Sequence, residues 1–246
     1  MGEWDRIEPV RRRFFVERFT GHTAVIEGET AHHLGRVLRA EPGQLYELSD
    51  GERVWLGRID SVGRDRVEFA FVEDIPADQP AVEVTLLLSV VKFDAFEWAI
   101  EKATELGVST IVPLAAARSE KALLAAAGKR AERWRKLLVE ASQQSRRVRV
   151  PRLENVKLPD DALSAARAGV RLLLSERAEA PPLRTVLSGV AQTAATLAIG
   201  PEGGWTDREL EVARQAGFQE ASLGKLILRT ETAVIAALAS IQFALG

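Results

Sequence analysis

The pattern of hydrophobic and polar positions divides the chain into two parts. The first third contains short β-rich runs separated by glycines, and an Asp50-Gly51 pair of the kind that favours a hairpin turn. A short helix is expected from Thr30 to Leu38. The predicted strands are Phe14 to Val16, Thr23 to Ile26, Gln44 to Ser49, Arg53 to Ile59 and Arg66 to Phe71. This part is predicted to be a small β-barrel or sandwich over residues 1–75, followed by a linker over 76–81.

In the second part, residues 82–246, strands and helices alternate, which predicts an α/β domain with a mainly parallel sheet. Val84 to Val91 is a continuous apolar run, typical of a strand buried on both faces. Asp94 is expected to cap the next helix, and an amphipathic helix is expected from Ala131 to Ser145. Further strands are expected at Thr110 to Leu114, Val170 to Leu174, Thr196 to Ile199 and Ala221 to Leu223.

Two helices near the C-terminus have clear signals. Thr206 and Glu209 have the spacing of a capping box, which predicts a helix that ends at Gly217. The stretch from Ala233 to Leu245 is so apolar that a helix there must bury more than one face, in the core or in a subunit interface.

Composition narrows the possible chemistry. The 246 residues include 33 basic and 35 acidic side chains, so an RNA-binding surface would have to be a local patch. The absence of cysteine excludes disulfides, thiolate catalysis and zinc fingers, and with three histidines we expect no metal site. No apolar stretch is long enough to span a bilayer, and the first residues lack a signal-peptide pattern. A cytoplasmic protein is therefore expected.

The segment from Leu197 to Trp205 is the first candidate for a ligand site. An apolar strand ends in a loop that contains Gly200, Glu202 and Gly204, and a helix follows. Ligands of open α/β sheets bind beyond the carboxyl ends of strands, and glycine lets the backbone approach a ligand closely. The alternative is a tight turn without a ligand, but three glycines are more than such a turn needs. The spacing matches neither the dinucleotide fingerprint nor the Walker motif.

A second candidate segment runs from Ser222 to Ala233. It brings Arg229, Glu231 and Thr232 to the start of the last helix, where a carboxylate suits the helix dipole. The alternative is purely structural, with a cap at Thr230 and Glu231 and a solvated Arg229.

Several cationic and polar groups are candidates for RNA contacts. Phosphate binding needs clustered positive charge, and the alternative for each group is an ordinary solvated surface. The candidates are Arg11, Arg12, Arg13, Arg36 and Arg39 in the first part, and Lys92, Gln144 and Arg147 in the second.

Several segments together resemble the bacterial 16S ribosomal RNA (uracil-N3)-methyltransferases, which belong to the SPOUT superfamily of trefoil-knotted methyltransferases. The matching segments are Glu101 to Gly107, Gln144 to Arg147, Ile199 to Gly204 and Leu223 to Thr232. His33 to Arg39, followed by Pro42 and Gly43, is similar to the PUA-like RNA-binding barrel of that family. The resemblance covers nearly the whole chain.

The resemblance implies a fold, a cofactor and an assembly. The C-terminal domain would be knotted, a rare exception to unknotted topology, and it would form a homodimer through its first and last helices. S-adenosylmethionine would lie in the knot, with its adenine held by backbone groups. The implied cofactor positions are Leu174, Ser175, Ile199, Gly200, Gly204, Leu223, Gly224, Ile227, Leu228 and Thr232.

The implied reaction is methylation of a uracil N3 in 16S ribosomal RNA of the small subunit. Arg229 is the first candidate to stabilise the uracil anion, and Glu231 or Glu202 is a candidate to accept the N3 proton. The sequence leaves open whether there is a direct general base or only electrostatic stabilisation. It also leaves open a SPOUT enzyme that acts on transfer RNA or on a ribose, and an RNA-binding protein without activity.

Overall fold

The computed structural model describes residues 10–77, 80–167 and 169–246, and it leaves the side chains of residues 10 and 11 undescribed. Contacts divide the chain into two compact units. The first contains the described residues up to 77 together with Ser142–Val150, and the second contains residues 80–141 and 151–246. Nothing in the hydrophobic pattern had indicated the return of Ser142–Val150 to the first unit.

The first unit contains a five-stranded sheet in the order β1-β3-β4-β5-β2. The strands are β1 (Val10–Phe15), β2 (Thr23–Glu27), β3 (Leu45–Ser49), β4 (Val54–Val62) and β5 (Arg66–Ile75). β1 pairs with β3 in parallel, and the other neighbours are antiparallel. Two register shifts between β4 and β5 bend the sheet around a core that includes Phe14, Leu48 and Phe69. A β-rich unit is confirmed, but its order leaves β1 and β2 as edges, so the described strands form a half-barrel.

The helix predicted from Thr30 to Leu38 consists of two short pieces. Helix α1 (Gly28–His32) is followed by a π-helical turn over His33–Val37, where Leu38 N donates to His33 O at 3.1 Å. This turn leaves Arg36 and Val37 exposed.

The second unit contains a six-stranded sheet in the order β11-β9-β10-β6-β7-β8, and every pair in it is parallel. The strands are β6 (Glu83–Ser89), β7 (Thr110–Leu114), β8 (Arg152–Leu153), β9 (Val170–Leu174), β10 (Ala194–Ile199) and β11 (Gln219–Ala221). The predicted parallel α/β domain is therefore confirmed. Because the strands are parallel, the loops that follow their carboxyl ends lie at the same edge of the sheet.

Six helices are described in the second part of the chain. They are α2 (Phe93–Glu105), α3 (Lys121–Gln144), α4 (Pro159–Ala165), α5 (Leu183–Leu187), α6 (Asp207–Gln215) and α7 (Thr230–Leu245). Side chains of α4 and α6 share one core cluster with Leu87, Leu173 and Ala198 of the sheet. Helix α2 packs against α7, and α7 contacts β10.

Three expectations about helix ends have different outcomes. The capping box of α6 is confirmed, with Glu209 Oε2 accepting from Thr206 N at 2.8 Å. The predicted cap at Asp94 is wrong, because α2 begins at Phe93 and Asp94 lies in its first turn. Helix α3 begins at Lys121 rather than Ala131, because its first turns are rich in alanine and leucine, which have high helix propensity. None of the described helices combines the length and the apolar character needed to cross a membrane.

Candidate active site

Three loops meet at one end of the parallel sheet. Strands β11, β9 and β10 are neighbours, so the loops that follow Ala221, Leu174 and Ile199 share an edge. Ser175 N donates to Ala221 O at 3.0 Å. The loop after β11 also bonds to the loop after β9, since Ser222 N donates to Pro181 O at 2.8 Å. Main-chain hydrogen bonds thus bring together two of the segments that carry predicted cofactor positions.

The glycine-rich loop after β10 is shaped by Trp205. The indole Nε1 donates to Leu174 O at 3.0 Å, and the side chain is only 8% exposed. A Cβ at Gly200 would lie 3.0 Å from Cε2 of this ring, so the ring fills the space where any other residue would place a side chain. Gly204 has φ +68° and donates to Pro201 O at 2.8 Å, which closes a tight turn. Packing against Trp205 requires glycine at position 200, and the tight turn favours glycine at position 204. The turn interpretation alone therefore explains Gly204.

The loop after β11 has unused hydrogen-bonding capacity. Among the described residues, the backbone N–H groups of residues 223–228 have no acceptor. Gly224 has φ +132°, a conformation open to glycine and few other residues. Leu226 and Ile227 are 82% and 80% exposed although they are large and apolar. Unpaired backbone groups beside exposed apolar side chains are the features expected of a segment that a ligand or partner covers.

The catalytic candidates lie around these loops. Arg229 is exposed at the N-terminal boundary of α7, and it has no ion pair or side-chain hydrogen bond in the described part of the chain. Glu231 is half-buried in the first turn of α7, and Thr232 is exposed next to it. Glu202 is exposed in the loop after β10. The proposed cap at Thr230 and Glu231 makes no side-chain bond to the helix end, so it does not account for these residues.

The loop after β7 is a part of the site that the sequence analysis missed. Arg118 Nη1 donates to Gly203 O at 2.7 Å and to Trp205 O at 3.1 Å. Glu209, which is 4% exposed, accepts from Ala117 N at 2.9 Å through its other oxygen. Only the capping box marked Glu209 in the sequence, and no local signal marked Arg118. No group of three His, Cys, Asp or Glu side chains in the described ranges is placed to hold a metal ion.

The predicted RNA-binding residues have different environments. Arg13 is 5% exposed and forms an ion pair with the buried Glu47 at 2.9 Å, so its inclusion in a surface patch is wrong. Arg36 and Arg39 are exposed, and Arg39 has φ +52°. Arg12 is half-buried, and the Arg11 side chain lies outside the described residues.

The other three candidates lie farther along the chain. Lys92 is exposed directly before α2. Gln144 and Arg147 belong to the segment that returns to the first unit. Burial lowers the pKa of Arg147 to about 10, which leaves it charged at neutral pH. Its neighbour Arg146 pairs with Glu47, which explains why this segment packs on the β-unit.

Comparison with known proteins identifies the family. The RNA methyltransferase domain family matches residues 78–242, and the RNA methyltransferase PUA domain family matches residues 26–72. Ribosomal RNA small subunit methyltransferase E of Bacillus subtilis is 32% identical over 230 residues, which cover 90% of each chain. The corresponding Synechocystis protein is 33% identical over 238 residues, covering 92% of this chain and 75% of that one.

Solved structures agree with this relationship. A ribosomal RNA small subunit methyltransferase E from Neisseria gonorrhoeae, bound to S-adenosyl methionine, is 30% identical with a TM-score of 0.87. The alignment covers 96% of this chain and 98% of that one. A putative methyltransferase from Legionella pneumophila, in complex with the same cofactor, is 28% identical with a TM-score of 0.86 and 97% and 98% coverage. The chain belongs to the ribosomal RNA small subunit methyltransferase E family.

Proposed function

We propose that this protein transfers a methyl group from S-adenosylmethionine to N3 of a specific uridine in 16S ribosomal RNA. The observation that carries the proposal is the meeting of the loops after β9, β10 and β11 in a chain that aligns over 96% of its length with a cofactor-bound family member. The substrate would be the small ribosomal subunit, and the reaction would take place in the cytoplasm.

The residues present fit S-adenosylmethionine. Unpaired N–H groups at residues 223–228 can donate to the adenine ring, and Ile227 and Leu228 can cover its faces. Gly200 and Gly204 add no side chain of their own to the loop after β10, and Thr232 is exposed in the first turn of α7. Leu174, Ser175, Ile199, Leu223 and Gly224 complete the proposed cofactor positions. The bound cofactor supplies an electrophilic methyl group on a sulfonium.

The protein's part in the reaction is to hold uracil N3 in line with the methyl group and to accept the proton that N3 loses. Loss of the N3 proton leaves negative charge on the uracil oxygens O2 and O4. Arg229 has no carboxylate partner among the described residues, so its guanidinium is available to stabilise that charge. Glu231, half-buried, and Glu202, exposed, are the candidate acceptors of the proton. Alignment of the reacting atoms supplies much of the remaining rate enhancement.

RNA binding is assigned to exposed cations that have no carboxylate partner. In the first unit these are Arg36 and Arg39, which flank the exposed Val37, and the half-buried Arg12 is also kept as a proposed contact. On other grounds than free charge, the exposed Lys92 and Gln144 and the half-buried Arg147 also stay proposed contacts, whereas Arg13 is removed because it is buried in an ion pair with Glu47. Such contacts position the RNA through its phosphates and give a salt-dependent affinity.

Two finer features of the fold are also part of the proposal. Trp98 on α2 and Phe243 on α7 are 43% and 93% exposed, and these two helices pack against each other. A homodimer through α2 and α7 would bury both rings.

A trefoil knot would form where the chain after β11 passes the loop after β9, and the bonds of Ser222 to Pro181 and Leu183 support that arrangement.

The test is a methylation assay on small subunits that lack the modification. Purified protein is incubated with them and with S-adenosylmethionine, and the modified nucleotide is identified by mass spectrometry. We expect one methyl group on a uracil N3. A methyl group on a ribose, or activity on transfer RNA alone, would contradict the proposed target. Failure to bind S-adenosylhomocysteine in calorimetry would contradict an enzymatic function altogether.

A further inference from the structure

The loop after β7 is hydrogen-bonded to the other loops at the carboxyl edge of the sheet. Ser119 Oγ donates to Val90 O at 2.8 Å, which ties this loop to the one after β6. Ala117 N donates to the buried Glu209, which ties it to the start of α6. Arg118 reaches the glycine-rich loop between these two attachments. The backbone of residues 117–119 is therefore anchored on both sides of Arg118.

Arg118 binds the glycine-rich loop by charge and by shape. Its Nη1 donates to Gly203 O at 2.7 Å and to Trp205 O at 3.1 Å. A Cβ at Gly203 would lie 3.2 Å from Arg118 Cβ and 3.4 Å from Arg118 Cδ, so the aliphatic stem occupies the space beside this glycine. Hydrogen bonds from a charged donor to carbonyl oxygens are stronger than those between neutral groups. The two bonded carbonyls flank Gly204, a proposed cofactor position.

We infer that Arg118 is a positioning residue for the cofactor loop. It holds residues 203–205 in the conformation that accepts S-adenosylmethionine, and it acts through the loop rather than on the reacting atoms. The inference rests on the proposed function, because it assumes that the glycine-rich loop binds the cofactor. Without Arg118 the loop samples other conformations, and binding must then select the competent one, which weakens the apparent affinity.

The test compares Arg118→Ala and Arg118→Lys with Arg214→Ala as a matched control. Arg214 is an exposed arginine of the same unit that pairs with Glu211 on α6 and makes no bond to the glycine-rich loop. For Arg118→Ala we expect about a tenfold rise in the Kd for S-adenosylhomocysteine and in the KM for S-adenosylmethionine, with kcat near that of the wild type at saturation. The lysine variant should recover part of the affinity, because an ammonium can still reach one carbonyl.

The outcomes separate this inference from the proposed function. If the wild type itself does not bind S-adenosylhomocysteine, the proposed function fails. If the wild type binds and Arg118→Ala binds equally well, only the role of Arg118 is overturned. A fall in kcat at unchanged KM and Kd would also overturn it, since that pattern belongs to a residue that acts in the transition state. A melting temperature lowered without any change in affinity would show a purely structural role.

Discussion

Gly200→Ala tests whether packing against Trp205 is what requires glycine in the cofactor loop. The added Cβ would lie 3.0, 3.1 and 3.3 Å from Cε2, Nε1 and Cδ2 of the indole. Ordinary contacts begin near 3.4 Å, so the ring must move by a few tenths of an ångström. Such a shift would lengthen the 3.0 Å bond from Trp205 Nε1 to Leu174 O past the usual range for N–H···O bonds.

The cost has two parts. Overpacking a well-packed site costs about 1–3 kcal/mol, and loss of a hydrogen bond adds about 1 kcal/mol. A total of about 2–4 kcal/mol should lower the melting temperature by roughly 4–16 °C. A cofactor that needs the native loop must restore the displaced ring, so part of this energy also appears as lost affinity. Because about 1.4 kcal/mol corresponds to a factor of ten, we expect S-adenosylhomocysteine to bind at least tenfold more weakly.

Calorimetry and thermal unfolding check both expectations, with Gly128→Ala as the control. Gly128 lies inside α3, and a Cβ there would meet no other part of the protein within 4 Å. Alanine should stabilise that helix by about 0.5–1 kcal/mol and leave the affinity unchanged. A Gly200→Ala protein with unchanged stability and weakened binding would refute the packing argument, because the methyl group would then act on the ligand directly. Unchanged binding would refute the assignment of this loop to the cofactor.

Four further predictions follow from the placement of charged and aromatic side chains. Arg229→Ala should lower kcat about a hundredfold with little change in KM, and near-normal turnover in steady-state kinetics would contradict its catalytic role. Replacing Arg36 and Arg39 by alanine should reduce the salt dependence of RNA binding, by about 0.7 in slope per lost phosphate contact, in filter-binding titrations. Arg13→Ala should leave that slope unchanged but destabilise the protein by about 1.5–3 kcal/mol in denaturant titrations, because the buried Glu47 loses one of its two arginine partners. Phe243→Asp should give monomers in light scattering, and a persistent dimer would exclude the α7 interface.

The parts of the fold that the sequence predicted are those with strong local signals. The continuous apolar run at Val84 to Val91 predicted a strand buried on both faces, and β6 lies in the middle of the parallel sheet. The Asp50-Gly51 turn between β3 and β4 is confirmed, with Asp50 Oδ1 accepting from Arg53 N at 2.8 Å. The early start of α3 was missed because its alanine-rich first turns have helical propensity without hydrophobic periodicity.

The candidate site shows a similar limit. A glycine-rich loop can be recognised in the sequence, because its glycines cluster at the end of an apolar strand. Arg118 could not be found in this way, because its contact with Gly203 joins positions 85 residues apart and depends on how two loops meet. The same holds for Arg13, which is separated from Glu47 by 34 positions and belonged to an apparently uniform run of three arginines. Local sequence shows which side chains are charged but not which ones the fold neutralises.

That distinction decides how a chain with a net charge of −2 can bind RNA. Many of its arginines are already paired with carboxylates, as Arg66 is with Glu27 and Glu68. Because the partner's negative charge offsets the arginine's positive charge, such a pair attracts a phosphate only weakly. Among the described residues, Arg36, Arg39 and Arg229 have no carboxylate partner. A phosphate or a uracil anion could pair with these cations without displacing an internal ligand, so no existing bond must be broken on binding. The total charge is therefore a poor guide to function here, and the catalytic assignment of Arg229 and the RNA assignment of Arg36 and Arg39 rest on exposed cations that the fold leaves without a carboxylate partner.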